Sequence, residues 1–194
     1  MLLDYKQKEC FDLQVGIDGP IEAPVDMATI SLMSPRHYDC GLVPERDIHC
    51  GWSGQYGPNT IREGLITALE RNKLIAVRMR DAGSYNAYAV FLRRCEMVFN
   101  VGLTGSAERL QVKGRVSETA LAGAALLEME GSPVDRWFPR ECIFFYEDVI
   151  DAARIIRETS QSEIADKAAL YHETMRKKYD PKDVYGEMLA RVGL

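Results

Sequence analysis

From Asp47 onward the chain alternates short apolar runs with longer stretches whose apolar residues recur every three or four positions. Ile48 to Trp52 reads as a strand entering the glycine turn Gly51-Trp52-Ser53-Gly54-Gln55-Tyr56-Gly57. Pro58 or Asn59 then opens a helix with Ile61, Leu65 and Leu69 at helical spacing, which stacks them on one side. Leu74 to Met79 is the next strand, and Ser84 caps a helix carrying Tyr85, Tyr88, Ala89, Phe91 and Leu92. Met97 to Val101 is a third strand, followed by a loop from Gly102 to Arg109 and a helix starting near Lys113-Gly114-Arg115. Ala125 to Leu127 and Ile143 to Phe145 give two more strands. The remainder is helical: Tyr146 to Glu158, about Gln161 to Tyr179, and Pro181 to Val192. Repeated strand-helix-strand steps with short connections predict an α/β, Rossmann-like, mostly parallel sheet flanked by helices, with a helical C-terminus.

Residues 1–46 break this rhythm. They are rich in Gly, Pro and Asp and have no sustained helical period, so irregular structure is expected, with short strands around Phe11 to Val15 and Ala28 to Leu32. The segment reads as a linker or the remnant of a preceding domain, ahead of a domain over 47–194. The formal net charge of −5 argues against a nucleic-acid footprint. No apolar run approaches a bilayer span, and the N-terminus MLLDYKQKE holds acids and no signal-peptide core, which predicts a cytoplasmic chain without a membrane span. Cys10, Cys40, Cys50, Cys95 and Cys142 include no C-x-x-C pair and fit reduced, mostly buried thiols. The three histidines are far apart and no H-E-x-x-H or Cys/His spacing suggests a zinc site, which leaves only a metal site assembled from distant residues as the alternative; no cofactor is expected.

Candidate chemistry concentrates in residues 111–138. Lys113 and Arg115 fall at the first turn of a helix, where free N–H groups already favour an anion. Glu118 follows one turn later, on a helix of small residues that can lie close to a sheet or a ligand. Two cations for a diphosphate and one carboxylate for ribose hydroxyls would make a nucleotide-sugar site; the competing reading is a surface helix whose charges face water. The turn around Gly54 is neither a dinucleotide fingerprint nor a Walker loop, yet it can bring backbone N–H groups to a phosphate. Asn100 ends its strand at the edge where ligands collect in open α/β sheets. Tyr85 and Tyr88 share one side of their helix, as core residues or as a stacking surface. His37 lies two residues before Asp39 in an irregular segment, a weak pattern for a base, and His49 on a predicted buried strand reads as a core histidine.

The blocks DIHCGWSGQYGPNTIREGL, SYNAYAVFLRRCEMVFNVG, KGRVSETALAGAALLE and SPVDRWF, followed by FFYEDVIDAARIIRE, occur in order from Asp47. Together they resemble the C-terminal, donor-binding domain of GT-B fold glycosyltransferases, in the glycosyl transferases group 1 or spore-maturation-protein-like branch. The resemblance implies transfer of a sugar from a nucleoside diphosphate sugar to an acceptor, without a bound metal. It places Lys113, Arg115 and Gly54 at the donor diphosphate, and Glu118, Asn100 and Tyr85 at the ribose and nucleobase. Arg62 matches the arginine of the helix after the glycine turn. The loop from Glu128 to Ser132, with Arg136-Trp137-Phe138, would close over the donor, or Trp137 would anchor the core. Glu118 aligns with the second glutamate of an E-x7-E pattern whose first position is Leu110 here, with Glu108 only nearby. Fewer than fifty residues precede the first confident strand. An acceptor-binding domain or partner subunit is therefore expected to lie elsewhere; the alternative is a non-catalytic nucleotide-binding or interaction module of the same fold.

Overall fold

The computed structural model describes residues 13, 15–17, 26–39, 45–79, 83–104 and 109–194. Cys10, Cys40, Glu108 and most of the strand expected over Phe11 to Val15 lie outside them, as does the middle of the loop after Gly102. The N-terminal segment contributes β1 (Val15–Ile17) paired in parallel with β2 (Met27–Thr29), and one helical turn, α1 (Arg36–Asp39). The alternating region then builds β3 (Ile48–Gly54), α2 (Ile61–Arg71), β4 (Ala76–Met79), α3 (Tyr85–Arg94) and β5 (Cys95–Phe99). A small antiparallel pair, β6 (Leu103–Thr104) with β7 (Arg109–Leu110), precedes α4 (Gly114–Leu121) and β8 (Ala125–Met129). β9 (Ile143–Tyr146), α5 (Val149–Glu158), α6 (Gln161–Lys178) and α7 (Pro181–Arg191) complete the chain.

The central sheet has the order β4-β3-β5-β8-β9, and every pair in it is parallel. Successive side chains on a strand point to opposite faces. Val98 and Leu126 face α3, α4 and the second half of α6, whereas Met97, Phe99, Ala125 and Leu127 face α2, α5 and the first half of α6. That two-sided burial is what the unbroken apolar runs imply.

Boundaries shift for identifiable reasons. β4 starts at Ala76 rather than Leu74, because Leu74 N–H still donates to Leu69 O and closes α2, with Lys73 at a φ of 56°. β8 runs past the expected end at Leu127, because Glu128 and Met129 pair with Phe145 and Tyr146. α5 begins at Val149, where Asp148 accepts from the N–H groups of Ile150 and Asp151. Thr60, Ser84, Ser160 and Asp180 cap α2, α3, α6 and α7 in the same way. α4 differs: Lys113 is its N-cap and supplies no side-chain cap.

The N-terminal segment packs on the domain. Ile30 and Tyr38 are buried in the core on the α3/α4 side, and Arg46 donates to the carbonyls of Cys95, Ala122 and Gly123. α6 is more than a solvated strut, since it buries Ile164, Ala168, Tyr171 and Met175, and Tyr171 donates to Val116 O. Among the described residues no helix is long and apolar enough to cross a membrane.

Candidate functional site

At the C-terminal edge of the sheet the strand ends and helix starts enclose a cleft of about 700 Å³. That size suits a small-molecule ligand. Gly54, Asn100, Lys113, Arg115, Glu118, Tyr85 and Arg62 all line it. Trp52, Arg78 and Tyr88 do so as well. Among the described lining residues there are four cations, Arg62, Arg78, Lys113 and Arg115, against the single carboxylate of Glu118.

Arg115 sits at the centre. Its guanidinium lies 5.7 Å from the ring centroid of Trp52, and Nη1 donates to Asn100 Oδ1 at 3.4 Å. Arg115 Nε is buried without a hydrogen-bond partner among the described residues. A Cβ at Gly54 would come within 2.9 Å of the Trp52 ring and 3.1 Å of Arg115, so the glycine is what leaves room for this stack. Among the described residues, Lys113 Nζ reaches only Gln111 Oε1, at 3.1 Å. Burial first, then the nearby Arg62 guanidinium, holds the Lys113 ammonium below the ordinary lysine range. Burial and then Arg115 likewise lower Arg62. Crowded cations that depress one another are relieved by an anion.

Glu118 lies one turn further along α4, on the same side of the helix as Arg115, and is buried. Tyr85 donates to its Oε1 at 2.9 Å and Tyr88 to its Oε2 at 2.6 Å, while Tyr38 and Tyr85 share a hydroxyl contact of 3.1 Å. Burial, with Glu118 adding to it, pushes the Tyr85 phenol up to about 12 and raises Tyr38 and Tyr88 too. The phenols therefore stay protonated and orient the carboxylate as donors. Both tyrosines thus act at the cleft rather than as plain core residues.

The glycosyl transferase-like family profile matches residues 48–190. The chain belongs to that family. No curated protein matches it in sequence. Among solved structures, it is similar to a point mutant of TarM from S. aureus in complex with fondaparinux, alpha-GlcNAc-glycerol and UDP. There the identity is 9%, the TM-score 0.64, and the match covers 97% of this chain and 45% of that one. It is also similar to the trehalose-6-phosphate synthase OtsA, at 9% identity and a TM-score of 0.57, covering 88% of this chain and 52% of that one. Against sucrose-phosphate synthase from Thermosynechococcus elongatus the identity is 9%, the TM-score 0.56 and the coverage 84% and 53%. The fold is that of a GT-B glycosyltransferase domain, and the chain spans about half the length of these solved structures.

Several residues of this glycosyl transferase-like domain sit differently from expectation. Glu128 and Ser132 do not line the cleft: Glu128 is buried within β8, whose extra pairing with β9 removes it from the loop, and Ser132 is buried where its N–H donates to Met129 O. Trp137 is a core anchor, packed on Tyr179. Arg62 is more than a surface charge, because it donates to the carbonyls of Gln55, Val101 and Leu103 and ties α2 to the loops at the cleft floor. His49 is exposed near the amino-terminal end of β3; Nδ1 meets Glu96 Oε2 at 2.6 Å and Nε2 meets Ile156 O, at the end of α5, at 2.7 Å. His37 packs edge-on against Tyr85 and bonds Asn86 Oδ1 at 2.7 Å, next to the carboxylate wall. Arg78 and Trp52 drew no attention in the sequence; the signal available for both was their position near the ends of predicted strands.

Proposed function

We propose that this chain is the donor-binding half of a glycosyltransferase that takes a nucleoside diphosphate sugar. The observation that carries the reading is the pairing of Lys113 and Arg115, at the uncapped start of α4, with the tyrosine-held Glu118 one turn further along, all lining one cleft. In this reading the diphosphate lies against Lys113, Arg115, the backbone at Gly54 and the N–H groups opening α4. Glu118 accepts from ribose hydroxyls, with Asn100 and Tyr85 bordering the nucleoside. When the bond from the anomeric carbon to the diphosphate oxygen breaks, negative charge collects on the leaving diphosphate. Lys113 and Arg115 are placed to meet it, so no metal is invoked.

The acceptor and the base that activates it belong to another domain or subunit. Ile61, Met79 and Ile150, at or after the carboxyl ends of β3, β4 and β9, stand 52%, 42% and 76% exposed. Exposed apolar side chains along that edge suit a surface that closes against a partner. The 194-residue chain on its own is expected to bind a nucleoside diphosphate and transfer no sugar. Calorimetry against UDP, GDP, ADP and dTDP and their sugars tests the reading. Arg115→Ala should weaken the best of them by about 1.5 to 3 kcal/mol through the lost charge-assisted contact. Unchanged affinity would remove Arg115 from the site, and robust transfer by the chain alone would overturn the half-enzyme reading.

A further inference from the structure

Glu128 is the one fully buried carboxylate among the described residues, and it lies directly beneath the cleft. On β8 it shares the α4-facing side of the sheet with Leu126, because residues two apart on a strand point the same way. Oε2 accepts from Asn100 Nδ2 at 2.6 Å, and Oε1 accepts from Met129 N at 3.1 Å. Asn100 turns its other end, Oδ1, to Arg115 Nη1 at 3.4 Å, and its backbone carbonyl accepts from Tyr146 Oη at 2.9 Å. The loop above is close: a Cβ at Gly102 would meet Gln111 O at 2.8 Å and Glu128 Oε1 at 3.3 Å. Three side chains thus run in series from a buried acid to the cation stacked on Trp52.

The chemistry of an amide gives this series a direction. An ionised carboxylate only accepts, so Asn100 must present its NH2 to Glu128 and its oxygen to Arg115. A protonated carboxyl both donates and accepts, so it no longer holds the amide in that one orientation: Asn100 is then free to turn its oxygen inward, which sets its NH2 against a guanidinium that has only donors.

The geometry points to Glu128 as a positioning residue: while ionised it fixes the Asn100 amide, the amide holds Arg115, and the anion affinity of the cleft follows its protonation. The inference rests on the donor-site reading for its ligand, though the coupling itself belongs to the free protein. Burial, the largest influence, lifts the Glu128 carboxyl, the bonds from Asn100 and Met129 and the charge of Arg115 pull it partly back, and the balance stands at about 7. Among the described residues, the other ionisable groups facing this cluster are Arg115 on α4, Tyr146 on β9 and Tyr171 on α6, with Arg62 on α2 beyond Tyr146. Burial raises both phenols and keeps them neutral, leaving Glu128 as the group that titrates.

Two measurements on the same protein test this. In the ligand-free chain, the Glu128 carboxyl carbon and Arg115 Nε, followed by NMR from about pH 5.5 to about pH 8.5, should titrate with one shared midpoint. Glu128→Gln should abolish the Arg115 response. Calorimetry with UDP-glucose, GDP-mannose, ADP-glucose and dTDP-glucose, whose diphosphate diesters do not titrate in this range, should show affinity falling about tenfold as pH drops through the midpoint. Glu128→Gln should bind weakly and without pH dependence. An Arg115 Nε signal that ignores pH in the wild-type chain overturns the inference, with no variant needed. A shared midpoint without binding of any nucleotide sugar would leave the positioning role standing and sink the donor-site reading instead.

Discussion

The two edges of the central sheet use charge in opposite ways. At the amino edge Arg46, Arg94 and His49 are engaged with the fold. Arg46 donates to three carbonyls, Arg94 holds Asp47 with bonds of 2.7 and 2.5 Å, and His49 bridges Glu96 to the end of α5. At the carboxyl edge, among the described residues, Lys113 reaches a single side-chain oxygen and Arg115 keeps a buried Nε unbonded, while burial and then the neighbouring cations lower Lys113 and Arg62. In sequence these arginines and lysines look alike. What separates them is whether backbone carbonyls or a cavity face the head group, and that is settled by which end of a parallel strand they follow.

The largest effect that sharpens this contrast is expected at Arg46. Arg46→Ala leaves the carbonyls of Cys95, Ala122 and Gly123 without their donor and should cost about 4 kcal/mol in urea unfolding. Nucleotide affinity of the folded fraction should not move. A matching loss of affinity would mean that the two edges are not separable.

Glu128 provides the next test, because it lies under the functional edge and is fully buried. Its carboxyl is raised from 4.5 to about 7, so the folded chain holds a proton that the unfolded chain has released between those values. The stabilisation is complete below about pH 4.5 and is lost as pH rises through 7. From pH 5 to pH 8 the wild-type chain should therefore lose roughly 3 kcal/mol relative to Glu128→Gln. This is the opposite slope to that proposed for ligand affinity: the ionised form that orders Arg115 is the form that costs stability. Parallel stability curves for the two proteins would show that Glu128 does not titrate in the native state.

The contrast also explains what was legible in the chain. Strand-helix alternation announced the five parallel strands, since runs buried on both faces need no partner information to be recognised. The same alternation put Gly54, Asn100 and the Lys113-Gly114-Arg115 start at strand ends and helix starts, and those positions do meet in one cleft. What stayed hidden depends on sheet order. Asn100 meets Glu128 because β5 neighbours β8, and Arg115 meets Trp52 across β3 and β5; neither pairing is written in local spacing. Ser132 was misplaced for a related reason: the length of β8 is set by pairing with β9, not by its own sequence. His49 was misjudged because a strand that is buried in the middle can be bare at its first residues.

The smallest effect belongs to the tyrosine wall. Tyr88→Phe removes the 2.6 Å donor to Glu118 Oε2 while keeping the ring that packs under Arg78. Losing one hydrogen bond to a carboxylate should weaken nucleotide-sugar binding by about 1 kcal/mol, or about fivefold. Tyr85→Phe should do less, because Tyr85 is 41% exposed and water can replace its hydroxyl at Oε1. Combining each change with Glu118→Gln resolves the cause, since removal of the carboxylate should erase most of the tyrosine effect if the two act as a unit. If Glu118→Gln weakens binding while Tyr88→Phe does not, the carboxylate reaches the ligand without being aimed. The tyrosines would then belong, like Arg46 at the opposite edge, to the fold.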